Sequence, residues 1–593
     1  MDIIELEKKG DIHYSLEQRV RTKDYVNPPT YFGENAVCEN VLSSSGAVIK
    51  GKVENSILSR RVVIEEGAFV KNSIIMNNAI IESGAYVENA IIDKESVVKS
   101  GATIKGTKEE PFVSEKRQII TSQEITSIVM LSAECSPFIK VGGLADMVGS
   151  LSRELAKLAT NVKVFIPLYK EIKDKYISSL ERDLEISMKI ENKNYHINTY
   201  RMVLDKVTYI FVDLYMFFER DKIYGYEDDP SRFAYFCDAV AEYLLKSKEK
   251  PDIFHMHDWH TALFPLFKKK YHEFDNAKTI LTIHNLNYQG EAPKKLIDEF
   301  GFDYYQKGNI FNILEAGIYS SNQITTVSKT YAEELKYAYY SGNLQEAILT
   351  RQRQLYGITN GLDEKFNPSV DLEIQKQYDV TNVLKNKPIN KKYLCKLCGF
   401  EEKDSFVIGM VSRLAYIKGF DLVLNSLDEI LEDKRVKFVV LGVGDESIMN
   451  GFRALEARHP SQMKCFLDFW GTRPEYIYAG ADAFLMPSRI EPCGTSQMIA
   501  LKYGTVPIVR QTGGLNDTVR QFKADVNQGN GFKFYNYDAS DLIYTISNAK
   551  DTFYNNKEGW NSLIINGMNT DCSFEACAKD YLYLYNNSRK EGN

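Results

Sequence analysis

The chain has 593 residues with 44% hydrophobic and 26% charged side chains and a formal net charge of −7. This composition is typical of a globular protein, and the acidic balance argues against a nucleic-acid-binding surface. No apolar segment approaches the ~20 residues of a membrane span, and the opening Met-Asp-Ile-Ile-Glu does not read as a signal peptide. Nine scattered cysteines indicate a reducing compartment. We therefore expect a cytoplasmic protein that binds neither nucleic acid nor membrane.

Residues 1–30 are charged and irregular and predict an N-terminal arm, whereas residues 31–106 carry a six-residue repeat. Such a period, with three faces per coil, is typical of a left-handed parallel β-helix, and about four coils fit. One register of the repeat runs through Val62, Ala68, Ile74, Ile80, Tyr86, Ile92, Val98 and Ile104. The segment contains no histidine, which argues against the acyl-transfer chemistry that some hexapeptide proteins perform.

Residues 107–125 are polar and charged and predict a linker, and an α/β half follows over 126–365. A buried strand at 127–131 leads to a Gly142-Gly143 pair at the start of a predicted helix, with Lys140 beside it. Backbone N–H groups at a glycine-rich helix start can approach a phosphate, and a lysine adds a cation.

Two further strands in this half end in polar clusters, the first with His255, His257, Asp258 and His260 and the second with residues 284–290. His255 and His257 share a face of their strand, which raises a zinc site as an alternative. No further ligand stands at close spacing, so we predict no metal.

A second α/β half is predicted over 366–570, and its first strand, 406–411, precedes Arg413 and Lys418. These two bases stand across a strand-to-helix turn and can face one anion. Glu491 lies in a Pro-Cys-Gly turn after a later strand, and a Gly513-Gly514 turn opens the next helix. Because parallel strands end at one edge of a sheet, these turns predict a ligand site there.

The motifs resemble those of bacterial glycogen and starch synthases in type and order. The matching stretches are Lys-Val-Gly-Gly-Leu-Ala-Asp at 140–146, His-Asp-Trp-His at 257–260, His-Asn-Leu-Asn-Tyr-Gln-Gly at 284–290 and Pro-Ser-Arg-Ile-Glu-Pro-Cys-Gly at 487–494. The resemblance covers roughly 126–590 and implies an α/β protein of the GT-B fold, with two Rossmann-like domains. It further implies transfer of glucose from ADP-glucose to an α-1,4-glucan with retention of configuration and no cofactor or metal.

Residue roles follow from the same resemblance. Glu491 would hold the glucose hydroxyls, His284 would line the anomeric side, and Arg413 and Lys418 would neutralise the leaving diphosphate. Asp258, His260 and Tyr288 would lie on the acceptor side. The implied donor-binding residues are Lys140, Gly142, Gly143, Asn285, Asn360, Phe469, Cys493, Gly494, Ser496, Gly513 and Gly514.

The repeat segment resembles the carboxyl-terminal β-helix of ADP-glucose pyrophosphorylase subunits, for example in Val-Lys-Asn-Ser-Ile-Ile-Met at 70–76. That resemblance implies a homo-oligomer, or binding of such a pyrophosphorylase, through residues 31–106. The tail, 571–593, has a helical pattern and is expected to cross back to the first half.

Two alternatives belong to other functional classes. The chain could be a catalytically weak glucan-binding scaffold that docks the pyrophosphorylase through its β-helix, although the charged donor residues argue against it. A glycosidase would need two carboxylates about 5–10 Å apart, whereas the motifs offer one well-placed glutamate. A phosphorylase would need a Schiff-base lysine, and Lys418 is better explained by the diphosphate.

Overall fold

The computed structural model describes residues 27–106, 108, 111–120, 127–158, 161–191, 193–302, 309–468 and 473–590. The chain divides into two compact units between residues 124 and 125. The first is the β-helix and the second is the α/β body. Among the described residues, no helix combines the length and apolar character that crossing a bilayer requires.

The first unit is built from short parallel strands stacked coil upon coil around a core of valine, isoleucine and alanine side chains. Its strands are Tyr31–Phe32, Val37–Ser43, Val48–Ile49, Lys52–Leu58, Val63–Ile64, Phe69–Lys71, Ile74–Ile75, Ile80–Ile81, Tyr86–Glu88, Ala90–Ile92, Val97–Val98, Thr103–Lys105, Phe112–Val113 and Ile119–Ile120.

The predicted β-helix is present, but its repeat is not strictly six residues. The buried side chains follow the series Ile64, Val70, Ile75, Ile81, Val87, Ile92, Val98 and Ile104, with one five-residue step per coil. The short step spans a corner where Asn55, Asn72 or Asn89 turns the chain in the left-handed region, at φ of 46–49°. Asparagine tolerates that conformation better than most residues. The predicted register is therefore wrong at Ile74, which is exposed, and at Ile80 and Tyr86, which are only partly buried.

The predicted linker at 107–125 was also wrong in part. Strand Phe112–Val113 pairs with Ala90–Ile92, and strand Ile119–Ile120 pairs with Val97–Val98. Ile120 is buried in the β-helix core. Two short apolar pairs in a polar, charged segment carry little periodic signal, so the sequence did not show that this segment completes another coil.

The first lobe of the α/β body is built on a nine-stranded sheet. In spatial order its strands are Glu181–Ile190, Lys193–Leu204, Val207–Val212, Val162–Pro167, Ile128–Leu131, Ile253–His257, Lys278–Ile283, Gln323–Thr326 and Leu355–Gly357. The first three form an antiparallel meander, and all later pairings are parallel. A small antiparallel pair, Glu291–Pro293 with Ile310–Asn312, lies outside this sheet.

Helices cover the sheet with their apolar stripes. Gly143–Leu158 illustrates the pattern, because Leu144, Met147, Leu151 and Leu155 recur at helical spacing and are buried. The other α-helices of this lobe are Lys170–Tyr176, Tyr215–Phe218, Asp229–Ser247, Phe264–Lys270, Lys294–Glu299, Ile313–Ser320, Lys329–Glu334, Ala338–Ser341 and Gln345–Thr350.

The second lobe has a six-stranded, fully parallel sheet. In spatial order the strands are Met463–Phe466, Val436–Leu441, Phe406–Val411, Ala483–Met486, Val506–Arg510 and Phe532–Phe534. Its α-helices are Val383–Cys398, Phe420–Ile430, Glu446–Arg458, Pro474–Gly480, Ser496–Lys502, Gly513–Thr518, Ala539–Asn555 and Lys557–Met568.

The last helix, Phe574–Lys590, follows the second lobe in sequence but packs in the core of the first. Tyr581 and Tyr585 are fully buried there. The hydroxyl of Tyr585 lies 2.7 Å from Nδ1 of His255, at the centre of the first-lobe sheet. The two lobes are thus tied together by the chain end, which is the crossing that the helical pattern of the tail predicts.

Candidate active site

The donor loop, which we define as residues 488–494, follows strand Ala483–Met486 and holds a buried ion pair. Nζ of Lys418 donates to both oxygens of the Glu491 carboxylate, at 2.8 and 2.7 Å. The Ser488 hydroxyl donates to the same carboxylate at 2.9 Å. Glu491 is only 5% exposed, so its charge is stabilised by these two donors. Lys418 is half-buried beside it.

The Gly513-Gly514 turn supports this loop from behind. A Cβ on Gly513 would lie 2.0 Å from the Glu491 carbonyl oxygen, and one on Gly514 would lie 2.0 Å from that of Cys493. The Gly513 N–H already donates to the carboxylate of Glu334, at 3.1 and 3.2 Å. The two glycines therefore allow close backbone packing behind the loop, and their donor-binding role stays a prediction.

The other glycine turn lies open. Ideal Cβ atoms on Gly142 and Gly143 would have free space around them, at the N-terminus of the helix Gly143–Leu158. The Glu134 carboxylate accepts the N–H groups of Val141 and Gly142 at 2.6 and 2.9 Å, which holds the turn in place. Lys140 is exposed and pairs with Asp146 at 2.6 Å. The turn therefore combines an exposed, ion-paired cation with an accessible helix start.

Asp258 anchors the loop that carries His284. Its Oδ1 accepts the backbone N–H of His284 at 2.7 Å and that of Asn285 at 3.4 Å. Asp258 has φ of +57°, a strained value for a residue other than glycine. Burial raises the pKa of its carboxyl to about 7 and lowers the pKa of His284 to about 3. The imidazole of His284 is therefore neutral at physiological pH.

The three remaining predicted histidines have protein partners or aromatic neighbours. Nε2 of His255 lies 2.6 Å from the Thr282 hydroxyl, and Nδ1 of His257 lies 3.2 Å from Nε2 of His284. His260 stacks on Trp259 with ring centroids 4.2 Å apart. In the described part of the chain, no group of three or more His, Cys, Asp or Glu side chains is arranged to hold a metal ion.

The two lobes meet at the donor loop. The Ser328 hydroxyl of the first lobe donates to the Pro492 carbonyl at 2.6 Å, and Ile490 packs against the first-lobe core. Burial raises the pKa of the Cys493 thiol to about 12, and a backbone hydrogen bond from Asn360 acts in the opposite direction. The Oδ1 atom of Asn360 is buried without a partner among the described residues.

The other predicted residues are placed as follows. Arg413 is exposed at the end of strand Phe406–Val411 and forms no ion pair with any described residue. Gly494 has φ of +75°, and Ser496 starts the helix Ser496–Lys502. Tyr288 is 64% exposed. Phe469 lies outside the described residues.

Sequence reasoning missed Ser488, Glu334 and Glu134, each of which contacts the site through a hydrogen bond. Ser488 stands three residues before Glu491 and could have been proposed from that spacing. The sequence around Glu334 does not mark it as a site residue, because its hydrogen-bond partner, Gly513, lies in the other lobe. Its burial raises the pKa of its carboxyl.

Three family models match consecutive parts of the chain. "Starch synthase catalytic domain" matches residues 127–350, and "Glycosyl transferases group 1" matches residues 399–552. "GlmU-like, C-terminal hexapeptide" matches residues 30–128, which agrees with the β-helix and its additional coil. Two α/β lobes meet at an ion-paired loop, one with a mostly parallel sheet and one with a fully parallel sheet. Together with these matches, they define a glycosyltransferase of the GT-B fold.

Sequence relatives identify the family within this class of glycosyltransferases. The glycogen synthase of Bacillus cereus (strain ATCC 14579) is 39% identical over 474 residues, which are 77% of this chain and 99% of that protein. The glycogen synthase of Clostridium novyi (strain NT) is 37% identical over 78% of this chain and 99% of that protein. The chain therefore belongs to the bacterial glycogen synthase family, and it carries an additional N-terminal left-handed β-helix.

A solved structure of a related enzyme has the same two-lobed fold. The catalytic domain of starch synthase IV from Arabidopsis thaliana, bound to ADP and acarbose, aligns with a TM-score of 0.69 at 30% identity. The alignment covers 79% of this chain and all of that domain.

Proposed function

We propose that this chain transfers glucose from ADP-glucose to the non-reducing end of an α-1,4-glucan, with retention and without a metal. Membership of the glycogen synthase family supports the reaction. The ADP-glucose preference is supported by ADP in the Arabidopsis starch synthase structure. The observation that carries the proposal is the ion pair between Lys418 and Glu491 on the donor loop.

Cleavage of the bond between the sugar and the diphosphate requires positive charge at the leaving group. Lys418 and the exposed Arg413 stand on the second lobe. Lys140 and the N-terminus of the 16-residue helix Gly143–Leu158 stand on the first. Fixed cations and an oriented helix end stabilise charge that develops in the transition state, so they can replace a divalent ion.

Glu491 suits sugar binding better than nucleophilic attack. Its carboxylate is already bonded to Lys418 and Ser488. A diphosphate that engages Lys418 would release carboxylate oxygens to accept glucose hydroxyls, so donor binding and sugar orientation would be linked. The neutral ring of His284 adds no positive charge near the anomeric carbon, where the transition state itself becomes positive. Asp258 acts indirectly, by holding the backbone of His284 and Asn285.

The deciding experiment supplies the full chain with ADP-glucose or UDP-glucose and glycogen. We expect glucose from ADP-glucose to enter the polymer in linkages that an α-1,4-specific glucosidase removes. Equal or faster transfer from UDP-glucose would contradict the donor assignment. Glycogen binding without transfer from either donor would favour the scaffold alternative.

We further propose that the β-helix is a docking domain for a second copy of this chain or for an ADP-glucose pyrophosphorylase. Among the described residues, strand Tyr31–Phe32 pairs on one side only, with Val48–Ile49. Tyr31 and Phe32 are 58% and 55% exposed. An open strand edge with apolar side chains favours association with another chain.

Light scattering on the full chain and on residues 127–593, together with the transfer assay, tests this role. We expect the shorter protein to keep its kcat and to have a smaller oligomeric state, or to lose capture of a purified ADP-glucose pyrophosphorylase. The same oligomeric state and no difference in capture would contradict docking. A folded but inactive shorter protein would show instead that the β-helix supports catalysis.

A further inference from the structure

Four side chains beside the donor loop form a cluster that we call the arginine clamp. Its members are Arg489 in the loop, Arg510 at the end of strand Val506–Arg510, Tyr537 after strand Phe532–Phe534, and Asp421 in the first turn of helix Phe420–Ile430. These positions belong to four segments that are far apart in sequence. The clamp therefore joins parts of the second lobe that no local sequence pattern links.

The clamp is held together by ring contacts and by one carboxylate. The ring of Tyr537 contacts both guanidinium groups, with its centroid 4.5 Å from Cζ of Arg489 and 5.6 Å from Cζ of Arg510. The Tyr537 hydroxyl donates to Asp421 at 2.6 Å, and the Arg489 guanidinium donates to the same carboxylate at 2.5 Å. A planar guanidinium that stacks and donates at the same time is held in one orientation, which a lysine side chain cannot reproduce.

Arg510 holds the backbone at the start of the donor loop. Its Nη1 donates to the Arg489 carbonyl at 2.7 Å and to the Ser488 carbonyl at 3.4 Å. Both carbonyls lie within three residues of Glu491, and the Ser488 hydroxyl itself donates to the Glu491 carboxylate. Because a charged donor bonds strongly to a backbone carbonyl, Arg510 fixes the direction of the chain that leads to Glu491.

The clamp also joins the donor loop to the segment that carries Lys418. The Arg489 N–H donates to the carbonyl of Ile417, the residue before Lys418, at 2.9 Å. The Arg489 guanidinium bonds to Asp421, three residues after Lys418. Arg489 is thus bonded to the chain on both sides of Lys418, and Arg510 holds the carbonyl of Arg489. One cluster therefore supports both members of the ion pair between Lys418 and Glu491.

We propose that Arg510 is a positioning residue for the transfer reaction, which sets the place of Glu491 relative to Lys418 through the backbone of the donor loop. This inference rests on the proposed glucosyl transfer, in which Glu491 holds the glucose hydroxyls. Loss of Arg510 displaces Glu491 but leaves the bonds of Arg489 around Lys418 in place. It follows that the variant turns over ADP-glucose slowly and still binds ADP, which carries no glucose, as the parent does.

The test compares the full-chain Arg510→Ala variant with the parent in three measurements. We expect kcat to fall about a hundredfold, the effect of misplacing a group at the reacting centre by about 1 Å. The Kd for ADP, measured by calorimetry, should be as in the parent. Hydrogen–deuterium exchange of the backbone amides in residues 487–496 should become faster, because the loop loses the donor that holds its carbonyls.

Chemical rescue separates the shape of the side chain from its charge. Methylguanidine added to Arg510→Ala should restore part of kcat, whereas ethylamine should not, because only a guanidinium can stack on Tyr537 and donate to the Arg489 carbonyl together. Arg510→Lys keeps the charge and should still have a kcat about tenfold below that of the parent. This variant takes the same three measurements if Arg510→Ala does not fold.

Arg453→Ala is the matched control, because it removes an arginine that pairs with Glu446 at 2.7 Å on the surface of the same lobe, and it should change none of these quantities. A normal kcat in Arg510→Ala or Arg510→Lys would overturn the proposal. So would an ADP affinity that falls in parallel with kcat, which would place Arg510 on the diphosphate itself, or unchanged exchange in residues 487–496. A parent protein that transfers no glucose would refute the reaction instead, and the exchange measurement would still decide whether Arg510 holds the loop.

Discussion

Asp258 holds the backbone of the His284 loop in place, but burial of its carboxyl destabilises the folded protein when that carboxyl is ionised. Its buried carboxyl is 8% exposed and accepts two backbone N–H groups from the loop that carries His284. Burial disfavours the ionised form more than these two bonds stabilise it, so the pKa of Asp258 is raised to about 7.

This raised pKa predicts a pH-dependent stability. A carboxyl with a higher pKa in the folded state than its usual 3.8 stabilises the fold at low pH, and that contribution is lost as the pH rises towards 7. Asp258→Asn should therefore raise the thermal midpoint relative to the parent at pH 8 and have a smaller effect at pH 5. The same variant should lower kcat, because the amide is a weaker acceptor for the His284 N–H. A pH-independent difference in the midpoint would contradict this account.

At the residue scale, the sequence predicts which residues lie in the site better than it predicts which residues they contact. The resemblance names Lys418 and Glu491 separately, but not that they form an ion pair with Ser488 as a second donor. The resemblance places Gly513 and Gly514 at the donor site, but it does not show what packs against them. Their actual neighbours are the carbonyls of the donor loop. Such contacts depend on elements far apart in sequence, which no local pattern records.

At the scale of elements, the C-terminal helix Phe574–Lys590 links the chain end to the histidines of the site. Tyr585 bonds His255, and the rings of His255 and His257 lie 4.1 Å apart. His257 in turn lies 3.2 Å from His284. We therefore expect the last helix to position His284 through His255 and His257.

Tyr585→Phe tests that role. The change leaves Nδ1 of His255 buried without its partner, which should cost about 1–3 kcal/mol of unfolding free energy. We also expect kcat to fall, because the neighbouring histidines lose a fixed arrangement. Tyr583→Phe, on the exposed side of the same helix, is the matched control. If Tyr585→Phe has normal stability and normal kcat, the helix only packs against the first lobe and does not position the histidines.

The β-helix shows what periodicity can and cannot predict. Its existence follows from the spacing of apolar residues, because each coil must direct several side chains inward. The five-residue step at each corner asparagine is short enough that the spacing still resembles a strict six-residue repeat. The fold was therefore predictable from the sequence. The buried residues were predictable only in part, because the strict six-residue register is right at both ends of the series and wrong at Ile74, Ile80 and Tyr86.

At the scale of the whole α/β body, a further contact holds the lobes together beside the donor loop. The N–H and hydroxyl of Thr330, on the first lobe, donate to the carboxylate of Asp517 on the second. The Asn516 side chain donates to the same hydroxyl at 2.9 Å. Such a contact favours a closed cleft, which excludes water from an activated sugar.

Thr330→Val should weaken this closure while keeping the shape of the side chain. A hydrogen bond to a charged group contributes about 1.5–3 kcal/mol, so we expect kcat/KM for ADP-glucose to fall about tenfold. Thr552→Val removes a hydroxyl bonded to a carbonyl within a second-lobe helix and should leave kcat/KM unchanged. Equal kinetics for the two variants would show that the contact does not govern closure.

The central claim is that fixed cations of the protein, and no metal ion, neutralise the leaving diphosphate. The most direct measurement is the rate of glucose transfer from ADP-glucose to glycogen in excess EDTA, for the parent, for Lys418→Ala and for Lys464→Ala. Lys464 forms a comparable ion pair with Glu456, at 2.9 Å, on the second-lobe surface. We predict that the parent and Lys464→Ala keep full activity in EDTA and that Lys418→Ala loses about a hundredfold or more in kcat. Loss of parent activity in EDTA, or a normal rate for Lys418→Ala, would contradict the account.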